Sequence, residues 1–333
     1  MLKNLSSLLF STSFKIYILI MAKIGIVLAT YNGEKYLPQM LDSLLAQTRP
    51  ADFIVAVDDG SKDSSPDILK NYQDRLPLQV TRLEKNSGHR AAFSKALELA
   101  RSQLGDNDLI ALADQDDVWL PQKLEILEKN MGQNSLVFGD AQVIDADGKI
   151  IAESWRKYSN IETKISIEQQ IAGINNVTGC LSLFSANLLG TILPIPEGVT
   201  VHDRWIAMLA DKQNGVAAID SPVVQYRIHG ANAVGGAATP SMSKTLETQI
   251  QWAQTILDNA ERLSLTEKEI CFAKNLLSLT KARLTHGFLP FRLLWIAKHR
   301  NELFLKDSAA ATLKRILFTA IGLPLARQIW KKS

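Results

Sequence analysis

Asp114-Gln115-Asp116-Asp117 places three carboxylates within four positions, directly after a predicted strand over 108–113. Like charges this close repel, so the spacing demands compensation. A hard divalent cation supplies it, and Mg²⁺ or Mn²⁺ takes oxygen ligands that it often shares with substrate phosphates. Asp116 is the candidate for direct coordination. Asp114 reads as a ligand through water, or as a contact to a donor sugar or ribose; a solvated acidic turn is the plainer alternative. Asp58-Asp59 ends another predicted strand, 53–57. A carboxylate there can accept the N3–H of uracil or thymine, which assigns Asp58 to a base and Asp59 to the turn. Turn formation and helix capping by Asp and Ser account for the same pair with no ligand.

His202-Asp203-Arg204-Trp205 opens a predicted helix. Asp203 is either a simple N-terminal cap or a general base that takes the proton of an acceptor hydroxyl, with His202 as a neighbour that tunes it. Tyr226-Arg227-Ile228-His229 closes a predicted strand. His229 is a candidate to complete a metal shell, and Arg227 to meet diphosphate oxygens. The small-residue stretch 230–240 reads as a loop able to close over a ligand. Trp119 is divided between packing beside a donor and an ordinary core role.

The elements that must hold these residues follow from hydrophobic spacing. Runs at 24–29, 53–57, 78–83 and 108–113 read as strands, separated by helical patterns over 34–47, from Ser65-Pro66, and over 89–104. A helix starts at Pro121, and 136–144 with 149–152 forms a hairpin around Asp147-Gly148. Beyond residue 155 the pattern predicts a strand at 177–184, a helix at 202–212, two strands at 216–219 and 223–228, and helix over 243–285. Alternation of this kind predicts an α/β fold: a mainly parallel sheet with helices on both faces, plus a C-terminal helical region. Ligands of such sheets bind beyond the carboxyl ends of the strands, where Thr30–Gly33, Asp58–Ser61 and Asp114–Asp117 all fall.

With 333 residues, 46% hydrophobic and 21% charged, the chain has ample apolar content for a large core, and global disorder is excluded. Cys180 and Cys271 show no CxxC spacing; they read as ordinary thiols in a reducing compartment rather than zinc ligands or a disulfide. The absence of GxxxxGK[ST], of GxGxxG after the first strand and of GxSxG disfavours P-loop, nicotinamide and serine-hydrolase chemistry. The net charge of +3 hides a polarity. Residues 281–333 hold eleven Lys/Arg against two acids, a net +9, leaving −6 for the remainder. The tail mixes these bases with apolar and aromatic residues, as interfacial helices do, so an anionic membrane surface is an expected partner and nucleic acid is not. Packing on the catalytic domain with a solvated basic face is the alternative. Residues 1–20 carry apolar runs too short and interrupted to span a bilayer and read as an extension ahead of a start at Met21. The expected organisation is 1–20 extension, 21–240 catalytic domain and 241–333 helical region.

The motifs taken together resemble inverting glycosyltransferase family 2, of GT-A fold. The resemblance rests on Ala29–Gly33, Val57–Asp63, Asn86-Ser87-Gly88, Asp114–Trp119, Gly179-Cys180, His202-Asp203 and Tyr226–Gly230, and covers roughly 23–235. The Asp-Gln-Asp-Asp-Val-Trp and Tyr-Arg-Ile-His-Gly forms are similar to bacterial rhamnosyltransferase-like members that act in cell-surface polysaccharide synthesis. The resemblance implies nucleoside contacts from Thr30, Tyr31 and Asp58, metal contacts from Asp116 and His229, and Asp203 as base. It implies a dTDP- or UDP-linked sugar donor, and a glycan or lipid-linked acceptor at the cytoplasmic face of the plasma membrane. His89-Arg90 departs from the small or apolar residues expected after Gly88. The alternatives are a sugar-phosphate nucleotidyltransferase and a nucleotide-sugar-binding protein without turnover.

Overall fold

The computed structural model describes residues 22–230 and 241–330. The proposed extension and nearly all of the proposed closing loop lie outside the described residues.

The run Ile24-Gly25-Ile26-Val27-Leu28-Ala29 offers no polar side chain to solvent, so its strand must be covered on both faces. It forms β1 (Ile24–Thr30), buried along its length. β1 pairs in parallel with β2 (Phe53–Asp58) on one side and β4 (Leu109–Asp114) on the other, with β3 (Leu78–Arg82) outside β2. The crossovers are α1 (Leu37–Leu45), α2 (Ser65–Tyr72) and α3 (His89–Arg101). Then come β5 (Val118–Trp119), α4 (Lys123–Met131), the hairpin of β6 (Leu136–Ile144) and β7 (Ile150–Ala152), and the short helices α5 (Trp155–Tyr158) and α6 (Ile167–Ile171). β8 (Ser182–Ser185), α7 (Leu189–Ile192), α8 (His202–Gln213) and β9 (Val216–Arg227) complete the sheet, whose order is β3-β2-β1-β4-β8-β6-β9-β5 with β7 beside β6.

Alternation within β1 divides the core between the two faces. Ile24, Ile26 and Leu28 join Leu37, Met40, Leu41 and Leu124 under α1 and α4. Val27 joins Phe93, Ala96, Trp205 and Met208 under α3 and α8. The C-terminal helices are α9 (Met242–Asp258), α10 (Glu267–Thr285), α11 (Leu293–Lys298), α12 (Arg300–Leu303), α13 (Ala309–Thr319) and α14 (Leu323–Trp330). Among the described residues no helix is long and apolar enough to cross a membrane.

Several expectations shift in detail. The sheet is parallel from β3 to β4, but β8 runs antiparallel to both β4 and β6, so the whole is mixed. The two strands expected at 216–219 and 223–228 are one strand: a register slip against β6 around Asp140 absorbs the polar Asp220-Ser221-Pro222 stretch that reads as a break. The strand expected at 177–184 begins as a 3₁₀ turn, Gly179–Leu181. The helix expected over 243–285 is two helices, because Thr266 and Glu269 form a capping box that starts α10 afresh.

Leu112, 1% exposed in the middle of β4, underlies the acidic loop. Leu112→Ala is expected to cost about 2–5 kcal/mol of unfolding free energy, read from the midpoint shift in urea denaturation.

Candidate active site

The strand register sets the site. Thr30 lies opposite Asp58, and Ala29 opposite Asp114, so the ends of β1, β2 and β4 line up on one edge. The loops beyond them are bonded to one another. Gln115 binds both backbone groups of Tyr31: its Oε1 accepts from the Tyr31 amide at 2.7 Å and its Nε2 donates to the carbonyl at 3.0 Å. A side chain at Gly33 would collide with this bridge, since its Cβ would lie 2.4 Å from Gln115 Oε1. Asn32, held at φ 49°, donates its amide to Ser61 Oγ at 2.9 Å and accepts from the Lys62 amide at 2.9 Å. Asp59 accepts from the amides of Ser87 and Gly88 at 2.7 and 2.8 Å, which ties the start of α3 to the same edge.

Above this edge opens a cavity of about 520 Å³. Thr30, Tyr31, Asp59 and His89 border it on the side of β1 and β2; Asp114 and Asp116 border it on the side of β4. Trp155, Asn175, Asp203 and Tyr226 close the opposite side. Of the predicted site residues, the cavity therefore gathers Thr30, Tyr31, Asp114, Asp116 and Asp203. His229 joins through Asp116, its Nε2 lying 2.8 Å from Asp116 Oδ2.

The acidic run divides into two environments. Asp114 and Asp116 face the cavity. Asp117 is turned inward, 1% exposed; its Oδ1 accepts from the Arg227 amide at 2.9 Å, and its Oδ2 has no hydrogen-bond partner among the described residues. Burial, then the charges of Asp116 and Asp203, push the Asp114 carboxyl up to about 7. Burial and the neighbouring Asp116 and Asp114 hold Asp117 well above the usual range. Lys123, fully buried, brings its ammonium 3.1 Å from the centroid of the Trp119 ring and donates to the Cys180 carbonyl. Burial pushes that ammonium down to about 7.

Two donor sets are available for a metal. Ligand atoms of Asp114, Asp117 and Cys180 lie within 4.8 Å of one another. That set suits a hard cation poorly: burial raises the Cys180 thiol, keeping it protonated, and Lys123 already places a positive charge there. The Asp116 carboxylate, which borders the cavity as Asp114 does, fits Mg²⁺ or Mn²⁺ in ligand type, with the His229 imidazole beside it as a nitrogen ligand.

Asp203 sits in the first turn of α8. Its Oδ2 accepts from the Gly179 amide at 3.1 Å, and its Oδ1 from Asn175 Nδ2 at 3.2 Å and from the Arg204 amide at 2.6 Å. Burial raises its carboxyl above the ordinary value, against the lowering effect of these amides. Its neighbour His202 stacks on Phe93 with centroids 4.0 Å apart, and burial pushes the imidazole down to about 3, so it stays neutral.

Two residues, Asp58 and Arg227, sit away from where the sequence reading puts them, and Trp119 takes the core role among its two alternatives. Asp58 is fully buried and does not border the cavity: it accepts from Thr30 Oγ1 at 3.3 Å and from Ser61, and pairs with Arg82 Nε at 3.2 Å. The carboxylate on the cavity wall is Asp59. Arg227 is 2% exposed and also does not border the cavity. Its guanidinium donates to the Asp116 carbonyl at 2.8 Å, to the Asp145 carbonyl at 3.2 Å and to Gln39 Oε1 at 2.7 Å, and it lies over the Tyr36 ring. It braces the acidic loop from behind. Trp119 belongs to the core under Lys123, and the aromatic pair at the cavity is Trp155 and Tyr226, centroids 4.6 Å apart. The sequence reading missed Asp59, Lys123, Trp155 and Asn175. Lys123 alone carried a local signal, as the one cation close after the acidic run.

The model of glycosyl transferase family 2 matches residues 25–193, which holds β1, β2, β4 and the acidic loop. The chain belongs to glycosyl transferase family 2. Over 236 residues the glycosyltransferase is 28% identical to an uncharacterized glycosyltransferase of Nostoc sp., covering 68% of this chain and 71% of that protein. It is 25% identical to the Bacillus subtilis protein named putative teichuronic acid biosynthesis glycosyltransferase TuaG, covering 78% and 97%. The crystal structure of Staphylococcus aureus TarS 1-349 in complex with UDP-GlcNAc superposes with TM-score 0.56 at 19% identity, over 90% of this chain and 81% of that one, and shares its GT-A type fold. Membership of a glycosyltransferase family removes the nucleotidyltransferase alternative.

If Asp58 is a brace, Asp58→Asn should cost about 1–3 kcal/mol of stability through the weakened Thr30, Ser61 and Arg82 contacts. Urea unfolding of the variant measures it.

Proposed function

We propose that the enzyme transfers a sugar, with inversion, from a dTDP- or UDP-linked donor to a hydroxyl of a glycan or lipid-linked acceptor in cell-surface polysaccharide synthesis. The observation that carries the reading is the meeting of Asp116, bonded to His229, with Asp203 on one cavity above the aligned ends of β1, β2 and β4. The name of TuaG supports the polysaccharide context, and the UDP-GlcNAc complex of TarS supports a uridine-type donor. The form of the acidic and Tyr-Arg-Ile-His-Gly motifs points to rhamnose as the sugar. Residues 21–240 would form the catalytic domain and 241–333 an appended helical region. The basic apolar tail would hold the enzyme peripherally on the anionic inner face of the plasma membrane.

In this reading Thr30, Tyr31 and Asp59 line the nucleoside end of the cavity, Asp59 replacing Asp58 because it is the carboxylate placed there. Asp116 and His229 would hold Mg²⁺ or Mn²⁺, with Asp114 as a further ligand or a contact to the donor. Bound there, the cation would stabilise charge on the leaving diphosphate. Arg227 positions Asp116 through its backbone. Asp203 accepts the proton of the acceptor hydroxyl as the oxygen attacks the anomeric carbon; Gly179, Asn175 and Arg204 fix the carboxylate's direction, and the raised basicity from burial suits it to the task.

Incubation with a panel of nucleotide sugars, with and without Mn²⁺, tests the reading through released nucleoside diphosphate. At least one dTDP- or UDP-sugar should turn over in a Mn²⁺-dependent way, and Asp116→Ala should abolish that dependence. Metal-independent turnover that survives Asp116→Ala would remove the metal assignment.

Asp203→Asn should lower kcat about 10²–10⁴-fold with little change in donor KM. In the wild type kcat should fall as pH drops, and at a pH above the ordinary aspartate range, since the base is active only when ionised and burial raises its carboxyl. Steady-state rates across pH for both forms provide the check.

A further inference from the structure

Exposed apolar side chains concentrate in the C-terminal region. Phe291 is 96% exposed and Leu294 84%, and Leu313, Leu317 and Phe318 of α13 are exposed as well. They share the segment with Arg292, Lys298, Arg300, Lys306, Lys314 and Arg315. A soluble surface gains nothing from presenting Phe and Leu in this way, whereas a bilayer interface takes both the apolar groups and the cations.

Within this segment lies a second cavity, of about 450 Å³. Phe304, Leu313 and Ile316 line it, together with Arg300 of α12 and Lys306 of the loop before α13. The acid that lines it, Asp307, is paired with Arg315 at 3.0 Å. Among the described residues Lys306 makes no hydrogen bond or ion pair, and the hydrogen bond of Arg300 is to an uncharged group, the Ala297 carbonyl at 3.1 Å. The cavity thus offers two cations without acidic partners beside an apolar wall, which is the chemistry of a phosphate carrying a hydrocarbon chain.

We propose that this cavity holds the phosphate headgroup of an anionic lipid, contacted by Arg300 and Lys306, while Phe291, Leu294 and Leu317 enter the adjoining acyl layer. The proposal rests on the membrane contact proposed for the tail and adds to it a defined headgroup site.

The full chain is titrated by calorimetry with monomeric dihexanoyl phosphatidylglycerol, and in parallel with dihexanoyl phosphatidylcholine. Saturable binding of the first, weaker for the second by roughly tenfold, is expected from the anionic charge. Lys306→Glu should lose it. Lys298→Glu makes the same change in net charge at an exposed position of α11 outside the cavity, and should keep it. Both lysines are exposed, so neither substitution disturbs a core. Equal losses in the two variants, or no saturable binding by the wild type, overturn the headgroup site. Flotation with phosphatidylglycerol-containing vesicles separates the two layers of the argument. Vesicle binding without monomer binding removes the cavity and leaves the surface contact standing; failure to float removes the surface contact itself.

Discussion

The site depends on keeping carboxylates together that would otherwise drive one another apart. Burial raises the proton affinity of Asp114 and Asp117, and neighbouring carboxylates add to it, Asp116 and Asp203 acting on Asp114 and Asp116 and Asp114 acting on Asp117. Asp116, Asp117 and Asp203 are each met by a specific partner. The Arg227 amide bonds Asp117, the imidazole of His229 bonds Asp116, and the Gly179 and Arg204 amides bond Asp203. Lys123 places its ammonium behind the cluster over the Trp119 ring. Burying a charge without such partners costs several kcal/mol, so the partners explain why so acidic a rim can sit on an apolar sheet. Asp114 and Asp116, the second held by His229, border the cavity, where a ligand can meet them.

Precision at the rim comes from backbone as much as from side chains. The register of β1 with β2 and β4 places the three strand ends side by side, and Gln115, Ser61 and Asp59 then bond each loop to its neighbour. These bonds run to main-chain groups, and two of the side chains that make them, Gln115 and Asp59, themselves border the cavity. A site held in this way loses little conformational entropy when it binds a ligand, which favours tight and well-directed contacts.

Much of this was legible from residue order. Buried parallel strands are short unbroken apolar runs, and polar clusters after three of them mark a ligand edge. The same local logic reads Asp203 at a helix start. What failed was phase and depth. Asp58 and Asp59 are adjacent and both buried, yet only Asp59 borders the cavity; the bonds of Asp58 to Arg82 and Ser61 hold it away from there. Arg227 looked like a phosphate ligand because arginine so often is one, but its bonds to Asp116, Asp145 and Gln39 span up to 188 residues of sequence, and no local pattern encodes them. Trp155 and Asn175 come from a stretch of short helices and turns with no periodicity, so their arrival at the cavity is a product of tertiary packing.

Charge segregation gives the molecule a direction. Residues 281–333 carry a net +9 and the rest −6. Near an anionic surface the tail is drawn in and the body pushed away, which would orient the enzyme as well as hold it. Screening limits the range to about 8 Å at physiological ionic strength, so the tail's charge does little for a nucleoside diphosphate at the acidic rim. Attraction for that anion has to come from within the site. Arg227 is taken up by the acidic loop and Lys123 by the buried carboxylates and the Cys180 carbonyl, while Arg204 borders the cavity beside Asp203. On the proposed reading, a bound cation would hold the diphosphate beside Asp114 and Asp116, and for that role these carboxylates are an asset rather than a repulsive wall.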